Sequence, residues 1–435
     1  MSDRKRGTDR SSRILGLTAA LAAGALTLVA ACSAGPQGNN DAGGSSDQHQ
    51  AAPAKNHDNH HSGTDKPSST PTSTPTTKAP AGPAHLAVSP AANTASVSPR
   101  TPVTIKVTDG TLRSVRVTNA EGTQVTGKKT RTGWTSSEVL GYGKTYHVSA
   151  VAQNADGKTV RSASSFTTVT PGNYTAASIS PSPAVDNVGT GEIITVTFDE
   201  PITDKAAAEK ALKVKTAPYT VGAWRWMDDQ HVEWRPEHYW KPGTRVTVAA
   251  DIYGAEVGSG LFGQEDVSST FRIHDDWHVN GYVDQYKLVV FHNNKIVREI
   301  PASFGSPSRP THNGPHVISE KYHLYYMNSA TYGLPADAPD GYSNFPAYWA
   351  QRISNGGEFV HVNDGTIYAQ GHENVSHGCI NVSMAEGKWL YDHLDIGDVV
   401  NVVGGSPQLP IWDGMGGWNT SFADWKAGSA LAQSR

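Results

Sequence analysis

A thiol is a weak nucleophile until a base removes its proton, after which it attacks carbonyl carbon readily. Cys379 lies in the stretch Gly371-His-Glu-Asn-Val-Ser-His-Gly-Cys-Ile-Asn-Val-Ser383. The tetrahedral oxyanion made by such an attack needs donors aimed at it, and a glycine lets backbone N–H groups turn toward one small volume. Ser376-His377-Gly378-Cys379 therefore offers a nucleophile and an oxyanion loop in one piece. His361 stands 18 residues earlier, after the apolar pair Phe359-Val360. A histidine at a strand end can reach across to a cysteine in a loop. The chemistry expected of the two is acyl transfer through a thioester.

Cysteine usage points the same way. The chain has 2 cysteines, Cys32 and Cys379. An exported protein that keeps an unpaired thiol open to oxidation has a use for it. Zinc ligation by His361, His372, His377 and Cys379 is the competing use. Neither Cys-x-x-Cys nor His-x-x-x-His spacing supports it. No metal and no cofactor is expected, because a thiol, an imidazole and hydrogen-bond donors complete an acyl transfer. His372 is expected at the surface or on a lid.

These residues need a rigid mount. Strands are expected at Tyr322–Met327, Phe359–His361 and Val399–Val403. Residues 286–291 and 295–300 read as a hairpin around Asn293-Asn294. A helix is expected over Ala385–Leu394, with Ser383 as N-cap and Glu386 completing a capping box. Residues 276–405 thus form one β-rich catalytic unit, and residues 328–350, rich in Gly, Pro, Tyr and Asp, read as a lid. The tail, 406–435, carries Trp412, Trp418 and Trp425, rings too apolar to leave in water, so it is expected to pack on the catalytic unit.

Upstream, apolar residues alternate with polar ones in short runs broken by Gly turns. Val103, Ile105 and Val107 do so, then Tyr146, Val148 and Ala150, and later Ile194, Val196 and Phe198. This is the pattern of immunoglobulin-like β-sandwiches, placed at 85–171 and 172–275. Asp204–Leu212 is the one short helix expected there. Trp224, Trp226 and Trp234 flank a hairpin; core packing is the expected use, a sugar-stacking surface the other. The fold class is therefore mostly β. Residues 32–84, rich in Ser, Thr, Pro and Gly, read as a disordered tether. Before it, basic Arg4, Lys5, Arg6, Arg10 and Arg13 precede an apolar run to Ala31, the build of a signal peptide over 1–31. Val29-Ala30-Ala31-Cys32 resembles a bacterial lipobox, which implies a diacylglycerol on Cys32 and an extracytoplasmic, membrane-anchored protein reaching into the cell wall. The formal charge of −4 leaves no electrostatic footprint for nucleic acid.

A histidine, this gap and then Ser-His-Gly-Cys-x-Asn closely resemble the signature of the L,D-transpeptidase catalytic domain, the YkuD fold. His361, Ser376, His377, Gly378, Cys379 and Asn381 each match a motif position. The segment Met327-Asn-Ser-Ala-Thr-Tyr-Gly-Leu-Pro335 followed by Gly341-Tyr342 resembles actinobacterial members, as does the whole order of lipobox, tether, two immunoglobulin-like modules, catalytic domain and Trp-rich tail. The likeness is to mycobacterial type-2 L,D-transpeptidases. It implies that Cys379 is acylated by a peptidoglycan donor stem, that His361 is the base, and that backbone N–H groups of His377, Gly378 and Cys379 form the oxyanion hole. It places Tyr342 at the site, Ser376 and Asn381 as braces of the loop, and Met327 and Tyr332 along the substrate path, though packing is the commoner use of both side chains. The residue after the histidine is often Ser in the family; here it is Val362, whose carbonyl can still orient the ring. The resemblance implies a 3→3 cross-link between diaminopimelate residues and covalent inactivation by carbapenems. An L,D-carboxypeptidase, with water resolving the thioester, uses the same residues; a wall-binding module with an idle cysteine is the third reading.

Overall fold

The computed structural model describes residues 79–432. The signal peptide, Cys32 and most of the tether fall in 1–78, outside the described residues. None of the described helices is long and apolar enough to cross a membrane.

In the first module, strands His85–Ser89, Thr104–Thr108, Gly133–Ser136 and Gly127–Lys129 form one sheet. Thr111–Asn119, Thr145–Gln153 and Thr159–Thr167 form the other. Alternation turns Ile105, Val107, Val117 and Val148 inward, around Trp134 and Phe166. The module starts earlier than composition suggests. Asn154 Nδ2 donates to the carbonyls of Ala81 and Gly82 at 3.1 and 2.9 Å, and Ala84 is buried. Residues 81–84, read with the tether, belong to the sandwich because a distant turn supplies their partners.

The second module pairs a sheet of Asn187–Val188, Val267–Ile273, Arg245–Ala250 and Leu212–Ala217 with one of Gly222–Trp226, His231–Pro236, Ile194–Phe198 and Ala177–Ser180. Its helix, Lys205–Ala211, is capped by Asp204, which accepts from Ala207 N–H at 2.9 Å. Trp224, Trp226, Trp234 and Trp240 are all core residues.

The catalytic unit has two sheets. Five strands run in the order Lys295–Pro301, Lys287–His292, Trp277–Tyr282, Val399–Val403, Gly314–Val317. Four more run Glu320–Met327, Phe345–Arg352, Phe359–Val362, Ile380–Val382. Asn293 and Asn294 take φ values of 50° and 63°, as a two-residue hairpin turn demands. The helix Met384–His393 is capped by Ser383, whose hydroxyl accepts from Glu386 N–H at 3.4 Å. The reciprocal half of the expected capping box goes elsewhere: Arg298 takes the Glu386 carboxylate in two bonds of 2.7 and 3.0 Å.

The tail does not stay on the catalytic unit. Asn419 Nδ2 donates to Pro315 O at 2.8 Å, but the helix Phe422–Ala427 docks on the second module. There Trp418 Nε1 donates to Gly191 O at 2.7 Å and Trp425 Nε1 to Ala223 O at 2.9 Å, with Arg235 between the two rings. An indole buried with its N–H needs an acceptor, and the second module's carbonyls provide it. Trp412, also expected to pack, is 69% exposed.

The same two bodies meet at a second seam, where Gly189 and Gly191 N–H donate to Ile396 and Gly397 carbonyls, each at 2.8 Å. Glu192 is buried there with no partner among the described residues on either carboxyl oxygen, and burial pushes it up to about 8. Asp398, across the seam, is pushed up by burial to about 8 as well. Unfolded carboxyls ionise near pH 4, so the folded state binds more protons between there and 8, and stability falls as pH rises through that window. Glu192→Gln is expected to raise Tm at pH 8 by about 3 °C or more and to change it little at pH 4. Equal shifts at the two pH values would refute the assignment.

Candidate active site

The fold explains the gap between the two key residues. His361 lies on Phe359–Val362, which pairs parallel with Ile380–Val382, and His361 is in register with Asn381. Parallel neighbours need a crossover of about a dozen residues or more. Residues 363–379 are that crossover, and Cys379 ends it. His361 and Cys379 line one cavity of about 240 Å³, with Met327, Tyr342, Phe345 and His377 around them.

His361 Nδ1 donates to Val362 O at 2.8 Å. The bond fixes the tautomer: Nδ1 carries the hydrogen and Nε2 keeps the lone pair. Burial pushes the ring down to about 4, so it is neutral at physiological pH. Burial also pushes the Cys379 thiol up to about 12; its hydrogen bond runs to Gly357 O at 3.7 Å. At rest the cavity is therefore lined by a neutral imidazole and a neutral thiol rather than by an ion pair. Proton transfer must accompany attack on substrate.

The nucleophile loop is braced from within. Ser376 Oγ donates to Cys379 O at 2.5 Å and accepts from Gly378 N–H at 3.1 Å. Gly378 has φ +120°, closed to side-chain-bearing residues, which is why a glycine stands there. In the resting loop the Gly378 N–H, one of the three expected oxyanion donors, is taken up by Ser376.

Met327, which ends its strand, is 5% exposed and packs in a small cluster with Cys379, Ala347, Ala350 and Phe359. Tyr342 packs on His377 with ring centres 5.6 Å apart. Asn381 bonds Thr366 Oγ1 through Nδ2 at 3.3 Å, while its Oδ1 is buried without a partner among the described residues. Tyr332 belongs to the 3-10 turn Ser329–Tyr332; its side chain lies outside the described part. His372 is exposed, away from the cavity lining. The expected lid is an excursion between the paired strand ends Met327 and Phe345, tied by Ser329 and Tyr342 through mutual backbone and hydroxyl bonds of 2.9–3.0 Å.

Sequence patterns gave no sign of Phe345, whose ring meets His361 edge-on at 5.9 Å. Nor did they reveal a polar clamp beneath the loop. Glu358 is buried against Gly378, the residue before Cys379. Its Oε1 accepts from His312 N–H at 2.9 Å and faces His312 Nδ1 at 3.0 Å; its Oε2 faces His316 Nε2 at 3.2 Å. Burial alone pushes this carboxyl up, but the two histidines outweigh it and hold it at about 2. Thr311, the residue before His312, donates to Gly378 O at 2.8 Å. The clamp thus fixes the strand entry that holds the nucleophile loop. Glu358→Gln keeps the volume and removes the charge; kcat/KM for Cys379 acylation is expected to drop about tenfold or more, with circular dichroism unchanged. An unaltered kcat/KM would show that the clamp does not reach the loop.

Residues 278–402 match the family described as L,D-transpeptidase catalytic domain, and residues 94–256 match the bacterial Ig domain. The chain belongs to the L,D-transpeptidase family, acyltransferases with a cysteine nucleophile. It is similar to L,D-transpeptidase 2 of Mycobacterium tuberculosis (strain CDC 1551 / Oshkosh), 40% identical over 336 residues, covering 76% of this chain and 81% of that protein. It is also similar to L,D-transpeptidase 5 of Mycobacterium tuberculosis (strain ATCC 25618 / H37Rv), 38% identical over 357 residues, covering 80% and 77%. Among solved structures, an L,D-transpeptidase in complex with imipenem is 34% identical, with 52% of this chain and 97% of that chain covered at a TM-score of 0.46.

Proposed function

We propose that this enzyme forms 3→3 cross-links in peptidoglycan. Cys379 Sγ attacks the carbonyl of the third residue of a tetrapeptide donor stem, a diaminopimelate. His361 Nε2 takes the thiol proton and delivers it to the departing D-Ala nitrogen. The thioester is then attacked by the side-chain amine of an acceptor diaminopimelate; a new amide forms, and the thiol is restored as the amine's proton passes through His361. The observation that carries this reading is His361, its Nδ1 bonded to Val362 O and its lone pair left on Nε2, lining one small cavity with Cys379.

Around this pair, the His377 and Cys379 N–H groups receive the oxyanion. Asn381 Oδ1, buried and unpartnered, accepts an N–H of the donor stem. Met327 and Tyr342 flank the stem, and the strained ring of a carbapenem acylates the same sulfur. Cys32 carries the lipid, and the residues after it let the folded modules stand off the outer face of the membrane, within the wall.

Incubation with disaccharide-tetrapeptide, followed by mass spectrometry, tests the reaction. Loss of D-Ala with dimer formation is the expected result. Loss of D-Ala without dimers would replace it with carboxypeptidase activity. A folded enzyme that neither turns over stems nor accepts a carbapenem would overturn both. Membrane release of Cys32→Ala checks the anchor.

A further inference from the structure

A further cavity, about 560 Å³, lies apart from the one that holds Cys379. It lies between the second module and the outward face of the five-stranded sheet. Along Val399–Val403, Val400 and Val402 turn into the core while Asn401 faces out. Its register partner across the sheet is Asn280, and Asn401 Nδ2 donates to Asn280 Oδ1 at 3.3 Å. That bond leaves Asn280 Nδ2 and Asn401 Oδ1 without partners among the described residues. Both amides are half-buried and line the groove, open to hydrogen-bond a ligand there.

The groove is preformed. Trp240, in its wall, donates its indole N–H to Glu192 O at 2.8 Å. Tyr239 is wedged against Trp418 with ring centres 4.4 Å apart, yet keeps 43% of its surface exposed. Asp276 is held at its place by His278 Nδ1 at 3.1 Å. The two charged side chains lining it, Asp276 and Lys241, cancel. No arginine lines it to take a phosphate, and Tyr239, Trp240, Pro242 and Val399 give it an apolar side against its amides. Fixed amide donors and acceptors, a presented aromatic ring, no net charge and this volume suit a neutral ligand dense in hydroxyl and amide groups.

We propose that this groove binds a neutral glycan carrying N-acetyl groups, with Asn280 and Asn401 hydrogen-bonding its polar substituents and Tyr239 packing on a sugar face. The preference for such a glycan stands on the lining itself; that the glycan is the wall strand bearing the stems rests on the function proposed above. Holding the strand at this seam raises the local concentration of its stems at the enzyme.

The peptide-free tetramer of β-1,4-linked N-acetylglucosamine is the probe, titrated into the protein by calorimetry and by saturation-transfer NMR. Saturable binding with a Kd on the order of 1 mM is expected. Asn401→Leu and Tyr239→Ala should each weaken it about tenfold, while carbapenem acylation of Cys379 keeps its wild-type rate. Tyr239 lies at the surface, so its variant decides the matter if Asn401→Leu misfolds. No saturable binding by the wild type, or equal binding by both variants, overturns the groove while leaving the function of Cys379 standing. Absent acylation would instead strike the function.

Discussion

Replacing Cys379 by alanine is expected to lower cross-linking by at least about 10⁴-fold, the scale seen when an activated nucleophile is removed from an acyl-transfer enzyme. The argument is chemical. Among the described residues Cys379 is the one cysteine, and the cavity it lines holds no other thiol to form the intermediate. The loop that presents it is held by Ser376 and Thr311, neither of which bonds the sulfur, so alanine should leave the backbone in place. Two readings check it: dimer formation from stems, and the mass increase on exposure to a carbapenem. Both should vanish together. A variant that still gains the carbapenem mass would place the nucleophile elsewhere.

His361→Gln is expected to reduce acylation by about 10³-fold, the usual contribution of a positioned general base, and to change the shape of the pH profile. In the wild type the ring is neutral above about 4 and the thiol protonated below about 12. The competent form, free imidazole with intact thiol, therefore dominates between these limits. Acylation should be flat through neutral pH and fall on the acid side as His361 gains its proton. Without the base, only the rare free thiolate reacts, so the residual rate of the glutamine variant should climb with pH instead. A wild-type rate that itself climbs steeply between pH 7 and 9 would mean that His361 does not take the proton.

Local chemistry explains which features were legible in sequence. The turn at Asn293-Asn294, the caps Asp204 and Ser383, and the alternation in both sandwiches depend on neighbours a few residues away. The nucleophile loop was legible for the same reason: Ser376, Gly378 and Cys379 bond one another. Even there, the partner of the Gly378 N–H could not be read, because it depends on a rotamer of Ser376. Glu386 shows the limit from the other side. Its spacing from Ser383 predicted a capping box, yet a bidentate bond from Arg298, 88 residues away, won the carboxylate.

Residue types and spacing already carried the chemistry: a cysteine, a glycine that must bend, a histidine at a strand end, and β-rich modules in order. How that chemistry is poised depends on packing. Burial makes the thiol and the imidazole both neutral, and burial is a property of everything packed around them. The same holds for Glu358 with His312 and His316, for the tail that crosses to the second module, and for the amide pair Asn280–Asn401 under its roof. Each joins residues far apart in the chain, through contacts whose strength is set by distance and desolvation, which no local spacing records.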